Sequence, residues 1–162
     1  RFVMLTRKND APLDFDFDKV LEQSRDNPVY YVQYASARIH SVFRKADEAG
    51  ITFDKKQAMN ERFETVTHEA EIKIAKKLAE WPRLVEIAAK TNEPHRIAFY
   101  LYELAGDFHS LWNKGNEISE LRFIQEDNHR ASCIKMAMIS AVLVVISSGL
   151  DILGVEPATH MN

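Results

Sequence analysis

The chain is poor in residues that cross-link or interrupt a polypeptide: 162 residues contain one cysteine, five glycines and five prolines. A lone Cys133 excludes an internal disulfide and a cysteine-based zinc site, and it suits a reducing compartment. Positive charge is not in excess either. Twenty-one Lys and Arg stand against 24 Asp and Glu, a net −3, which excludes a tail that holds nucleic acid by charge alone. Unpaired bases gripped in a pocket are not excluded by that balance. A membrane-length apolar run is missing. The uncharged stretch Met136 to Leu150 lies between Lys135 and Asp151 and is diluted by three serines and Gly149; a spanning helix needs about 20 apolar residues, so a buried core helix is expected. The start, Arg1 to Leu5, is too short for a signal peptide before Arg7-Lys8 and has no initiator methionine, so it reads as part of something longer.

Catalytic signatures are missing as well. None of the six histidines lies in HExxH or pairs with another at metal-ligand spacing. His68 and Glu71 have the i, i+3 spacing used in di-iron bundles, but a second such pair is lacking. There is no glycine-rich phosphate loop and no GxSxG elbow. Ser140, Ser147 and Ser148 lie inside an apolar helical pattern, where a serine bonds to the preceding turn, and Cys133 is expected to be a small buried side chain. No catalytic residue and no metal site is expected.

What is there is helix. Apolar residues make up 46% and charged residues 28%, enough to bury a core. Residues 1–15 look irregular, with a turn at Asn9-Asp10-Ala11-Pro12; the alternation Leu13 to Asp18 fits either a short strand or an arm entering a helix near Asp16. Asn27-Pro28 is a cap followed by proline at the first helical position. The helix should reach about Ala49, burying Val32, Ala35, Ile39, Val42, Phe43 and Ala46, with Gly50 closing it. Residues 51–66 read as a loop. A second long helix should start at Thr67, bend or break at Trp81-Pro82, and resume through Leu84 and Ala88 to the stop at Asn92-Glu93-Pro94. An amphipathic helix follows from His95 to about Trp112, a polar connection over 113–128, and a last helix over 129–148 ended by Gly149 and Gly154. The expected fold is all-α, a helical bundle of four to five main helices.

Binding chemistry concentrates just after Asn27. Tyr30, Tyr31, Gln33, Tyr34 and Arg38 put three aromatic rings, an amide and a guanidinium on one helix. Rings stack on unpaired bases, and amides and guanidinium groups read base edges or phosphates. Equally, the tyrosines fit a role covering the core with their hydroxyls in water. Phe108 and Trp112, i and i+4, share a helix face and fit both readings too.

Residues 13–46, LDFDFDKVLEQSRDNPVYYVQYASARIHSVFRKA, closely resemble the segment of bacterial class I arginyl-tRNA synthetases that follows the catalytic core. Residues 96–113, RIAFYLYELAGDFHSLWN, resemble that family's "LYELA" helix, and ISAVLVVISSGLDILGVEPATHM its last helix and tail. The three blocks stand in the family's order. The resemblance implies the helical anticodon-binding (DALR-type) domain over residues 16–162, with 1–15 a remnant of the connection to the catalytic core. It further implies that Tyr34, Ala35 and Arg38 line the anticodon loop, that Phe108 and Trp112 hold splayed bases, and that Met161 closes a pocket on the middle anticodon base. Two departures stand out: Ser36 replaces the family's usual histidine, and the tail ends Ala-Thr-His-Met-Asn. Arg38, Arg44 and Lys45 on one helix, and Lys73, Lys76 and Lys77 on another, are candidates for RNA-backbone contacts.

The family's HIGH-type and KMSKS-type ATP motifs do not occur in these residues. The resemblance therefore implies no cofactor in this piece, with ATP and Mg belonging to a catalytic domain elsewhere, and no aminoacylation by this piece alone. The implied partner is the tRNA for arginine, with neither DNA nor membrane, in a monomeric cytoplasmic protein. Alternatives are a helical protein–protein interaction domain, or the corresponding domain of a cysteinyl or glycyl synthetase; the NPVYYVQYAxAR block speaks against the latter.

Overall fold

The computed structural model describes residues 1–8, 11–12, 15–54, 56 and 66–161. Of the expectations above, the Asn9-Asp10 half of the turn, the Leu13-Asp14 part of the alternating stretch, most of the 51–66 loop and the terminal Asn162 lie outside them. The described elements are all helical: α1 (Phe17–Leu21), α2 (Pro28–Glu48), α3 (Glu69–Thr91), α4 (His95–Glu117) and α5 (His129–Ile152). Single 3-10 turns occur at Met4–Thr6 and Ser119–Leu121.

Local chemistry sets most of the boundaries. Asn27 caps α2, its Oδ1 accepting from the Tyr30 N–H at 3.3 Å, while its Nδ2 donates to the Val20 and Glu22 carbonyls at 2.7 and 2.9 Å. One buried amide thus starts α2 and ties α1 to it. Asn128 caps α5 in the same way through the Ala131 N–H. At the far end of α2, Gly50 takes φ +71°, and the Ile51 N–H reaches back to the Ala46 carbonyl at 2.8 Å. Gly154, φ +68°, closes α5 with the same geometry, the Val155 N–H bonding to the Leu150 carbonyl, and sends the tail back across α2.

Four features differ from the sequence expectation, the first being that α4 runs on to Glu117 and does not stop near Trp112. His68, not Thr67, caps α3, its Nδ1 accepting from the Ala70 N–H. Pro82 does not end α3, which runs through it to Thr91. Proline removes one backbone donor, but Ile74, Leu78, Trp81, Leu84 and Ala88 keep the helix packed on the core on both sides of it. Gly149 lies inside α5, not after it: the Leu101 side chain rests on its Cα so closely that a Cβ there would come within 2.7 Å of Leu101 Cδ2. A helix interior tolerates glycine at a cost of about 1 kcal/mol, and the close packing offsets it.

Helix α4 is the centre of the bundle and packs against α2, α3 and α5. Ile39, Leu101, Leu104, Phe108, Leu111, Ile139 and Ile146 have no exposed surface. By length and composition α5 could cross a membrane, but its residues Ile134, Met136, Ile139, Val142, Ile146 and Leu150 are buried against the other helices. A buried ion pair crosses the bundle, Lys135 Nζ of α5 to Glu71 Oε1 of α3 at 2.5 Å, both side chains under 10% exposed.

Candidate nucleic-acid interface

The α2 stripe Val32–Ala35–Ile39 faces the core, which leaves Tyr30, Tyr34 and Arg38 on the adjoining, half-buried face. Helix α4 brings His109 and Trp112 against that face. The Arg38 guanidinium carbon lies 4.2 Å from the Tyr34 ring centre and 4.9 Å from that of Trp112. Cation and rings attract through the ring quadrupole, and no carboxylate among the described residues pairs with this charge. Nη2 donates to Tyr34 Oη at 3.0 Å, and Nη1 lies 3.3 Å from His109 Nδ1.

His109 fixes this arrangement. Its Nε2 is 3.2 Å from the Tyr31 carbonyl. A carbonyl can only accept, so Nε2 carries the proton and Nδ1 is free to accept from Arg38. Burial pushes the His109 pKa down to about 4, the Arg38 charge pushes it further the same way, and the Tyr31 carbonyl opposes both. At neutral pH the ring is therefore the uncharged acceptor that Arg38 needs. Its other neighbours are Tyr31 and Tyr34, at 4.5 and 5.5 Å between ring centres.

The C-terminal tail forms the opposite wall. Gln33 Nε2 donates to the Glu156 carbonyl at 2.7 Å and Gln33 Oε1 accepts from the Ala158 N–H at 2.6 Å, while Arg44 reaches the Thr159 carbonyl at 3.3 Å. These contacts seat Met161 over a cleft of about 310 Å³ bordered also by Tyr34, Arg38, Ser41, Lys45 and Trp112. Arg38, Arg44 and Lys45 line it, with no carboxylate among the described lining residues. A chain of net charge −3 thus presents a locally positive, aromatic-walled slot, the combination that binds an unpaired nucleotide.

A larger cleft, about 790 Å³ between α3 and α4, is less suited. Lys73 is paired with Asp107 at 2.6 Å and Lys77 with Glu103, and Glu80 adds a further carboxylate. Of the three lysines expected to meet RNA on that helix, two have their charge compensated locally.

The structure brings Tyr34, Arg38, Trp112 and Met161 to one cleft. It does not bring Ala35 or Phe108 there: both have no exposed surface, so neither can touch a base. Phe108 instead stacks on Phe123 (5.8 Å between centres, 9° between planes) and meets Trp112 edge-on at 6.1 Å, supporting the indole from behind. Ser36, at the position of the family's usual histidine, is buried as well. The gap between the Tyr34 and Trp112 rings is filled by Arg38, so those rings do not form an open sandwich for a base. Gln33, expected to read a base edge, spends its amide on the tail. His109 and the Gln33 clasp were not legible as site residues, because their partners lie 71 to 125 residues away in sequence. His68 and Glu71, the candidate metal pair, serve as a helix cap and as half of the buried ion pair.

Comparison with known proteins identifies the family. The DALR anticodon binding domain family matches residues 32–161. An arginine–tRNA ligase of Ruegeria pomeroyi is 67% identical over all 162 residues, and one of Roseobacter denitrificans 61%. The chain spans 28% of the length of each. In fold it resembles a crystal structure of an arginyl-tRNA synthetase from Campylobacter jejuni, with TM-score 0.81, 24% identity, and 99% of this chain on 32% of that one. It also resembles the Thermus thermophilus arginyl-tRNA synthetase, with TM-score 0.68, 22% identity, and 99% of this chain on 25% of that one. The described residues are all helical or irregular, and the family model covers residues 32–161: the chain belongs to the DALR anticodon-binding domain family.

Proposed function

We propose that the chain binds the anticodon loop of the tRNA for arginine and positions that tRNA for an arginine–tRNA ligase. The observation that carries this reading is the cleft formed by Tyr34, Arg38, Trp112 and Met161, with three cations and no carboxylate among the described residues of its lining. One unpaired base enters at the mouth of this cleft, its edge meeting the Arg38 guanidinium N–H groups beside Trp112, and Met161 covers it. Arg44 and Lys45, both exposed at the rim, meet the flanking phosphates. Stacking and hydrogen bonds supply most of the affinity, and the phosphate contacts make it salt-sensitive.

In this reading the ligase joins arginine to tRNA at the expense of ATP with Mg, and the ATP chemistry belongs to a catalytic portion outside these residues. The protein acts as a monomer in the cytoplasm. Titration with an anticodon stem-loop of the arginine tRNA, and with one whose middle base is replaced, tests it. The replacement is expected to weaken binding about ten-fold or more. Equal affinity for the two RNAs would refute anticodon reading.

A further inference from the structure

We propose that His160 is a proton-linked phosphate contact: it takes up a proton as a backbone phosphate of the bound RNA enters the cleft beside the tail, so that binding strengthens as the pH falls below neutrality. This rests on the anticodon-loop reading above and adds to it a residue and a pH dependence.

The tail delivers the ring. Gln33 fixes Glu156 and Ala158, and Arg44 holds the Thr159 carbonyl, so the next residue, His160, comes to the lip of the cleft beside Met161 and stays exposed there. Thr159 Oγ1 lies 3.1 Å from His160 Nδ1. The other ring nitrogen, Nε2, has no hydrogen-bond partner among the described residues. Arg38, Arg44 and Lys45 of α2 share the lining with it, and α4 contributes only the neutral Trp112. Half-buried His40, one turn before Arg44 on α2, also faces this corner. Burial pushes the His40 pKa down, and Arg44 and His160 push it further the same way.

A proton on His160 would be a fourth positive charge in one small cleft whose described lining holds no carboxylate. A phosphate supplies the missing negative charge, and a protonated ring gives Nε2 a hydrogen to donate to it. Arginine or lysine would be charged at every pH of interest, whereas imidazole changes charge close to neutrality, so a nearby phosphate can switch it. The complex then holds more protons at His160 than the free protein does. Affinity therefore increases as the pH falls and levels off once the ring is charged in both states. His109, whose pKa burial pushes down to about 4, stays neutral above pH 5.5, so the Arg38 geometry is unchanged across the transition. An uncharged His160 stacked on a base would confer no such pH dependence.

The test is titration with the anticodon stem-loop from pH 8 to pH 5.5 at constant ionic strength, for the wild type, His160→Gln and His160→Arg. Residue 160 is exposed, so thermal melting should be unchanged in both variants and serves as the folding control. Wild-type affinity should rise about five- to ten-fold on acidification, the effect of a phosphate that shifts the proton equilibrium by roughly one pH unit. His160→Gln should hold the weaker, pH 8 affinity throughout, and His160→Arg the stronger one. Calorimetry at pH 6.5 in two buffers of different ionisation enthalpy should show proton uptake by the wild type and little by His160→Gln. A wild type without pH dependence, a His160→Gln variant that retains it, or a His160→Arg variant as weak as His160→Gln would each overturn the inference. The anticodon reading would survive any of these if the stem-loop with the replaced middle base still bound more weakly. Equal affinity for the two stem-loops at every pH would remove the anticodon reading and this inference with it.

Discussion

Gln33→Ala tests whether the tail is part of the binding site or merely lies near it. Gln33 alone joins α2 to the tail by two side-chain hydrogen bonds, at 2.7 and 2.6 Å. Each such bond contributes about 0.5–1.5 kcal/mol net, so removing both costs the seated tail roughly 1–3 kcal/mol. The Glu156 carbonyl and Ala158 N–H that are released lie near the surface and regain water, so global stability should fall by less than about 1 kcal/mol. What remains is mainly the Arg44 bond to Thr159 at 3.3 Å and the Arg1 bond to Gly154 at 3.1 Å. A tail seated only part of the time raises the apparent Kd by the inverse of the seated fraction, at most about 5- to 150-fold for a loss of 1–3 kcal/mol. Fluorescence anisotropy with the anticodon stem-loop measures that change, and amide exchange at Ala158 reports the seating directly. Met161→Ala should weaken binding in the same direction. In its background Gln33→Ala should add little, because both act through one contact. Faster exchange at Ala158 with unchanged RNA affinity would refute the role of the tail.

Three further outcomes follow from the packing and electrostatics. Lys135→Met should destabilise the fold by about 3–5 kcal/mol by stranding the buried Glu71 carboxylate, and adding Glu71→Leu should restore most of the loss; urea denaturation of the single and double variants measures both. His109 is held uncharged with a pKa near 4 against an ordinary value of 6.5. Between those pH values the unfolded chain binds the proton more readily, so stability is full above about pH 6.5 and declines as pH falls towards 4, by up to about 3 kcal/mol. That component should vanish from the pH profile of His109→Gln, and an NMR titration of the wild-type ring should give the low pKa. Gly149→Ala should cost about 1–3 kcal/mol despite alanine's better helix propensity, because the added methyl meets a Leu101 side chain that has no room to move; a melting curve showing stabilisation would contradict the close approach.

The contrast between Asn27 and Pro82 shows which kind of signal a sequence carries. A cap acts within three residues of itself, so Asn27-Pro28 announces the start of α2 whatever packs on it. A proline's effect on a helix depends on how much the flanking turns bury, and in α3 Trp81 and Leu84 pack on the core either side of Pro82. Gly149 repeats the lesson: read alone it ends a helix, whereas against Leu101 it is the residue that lets two helices approach.

The sequence by itself determined the helical class, the buried stripe of α2, the placement of aromatic and cationic groups around Tyr34 and Arg38, and the family. Each of these is written in spacing along one helix or in contiguous blocks of residues. Tertiary structure alone decided which of those groups reach solvent: it buried Ala35 and Phe108, stacked Arg38 between two rings, gave Gln33 to the tail and set Met161 over the cleft. The reason is physical. A helical period fixes the direction in which a side chain leaves its own helix, but exposure depends on what another helix or the distant C-terminus lays across it, and those contacts join residues 70 or more positions apart.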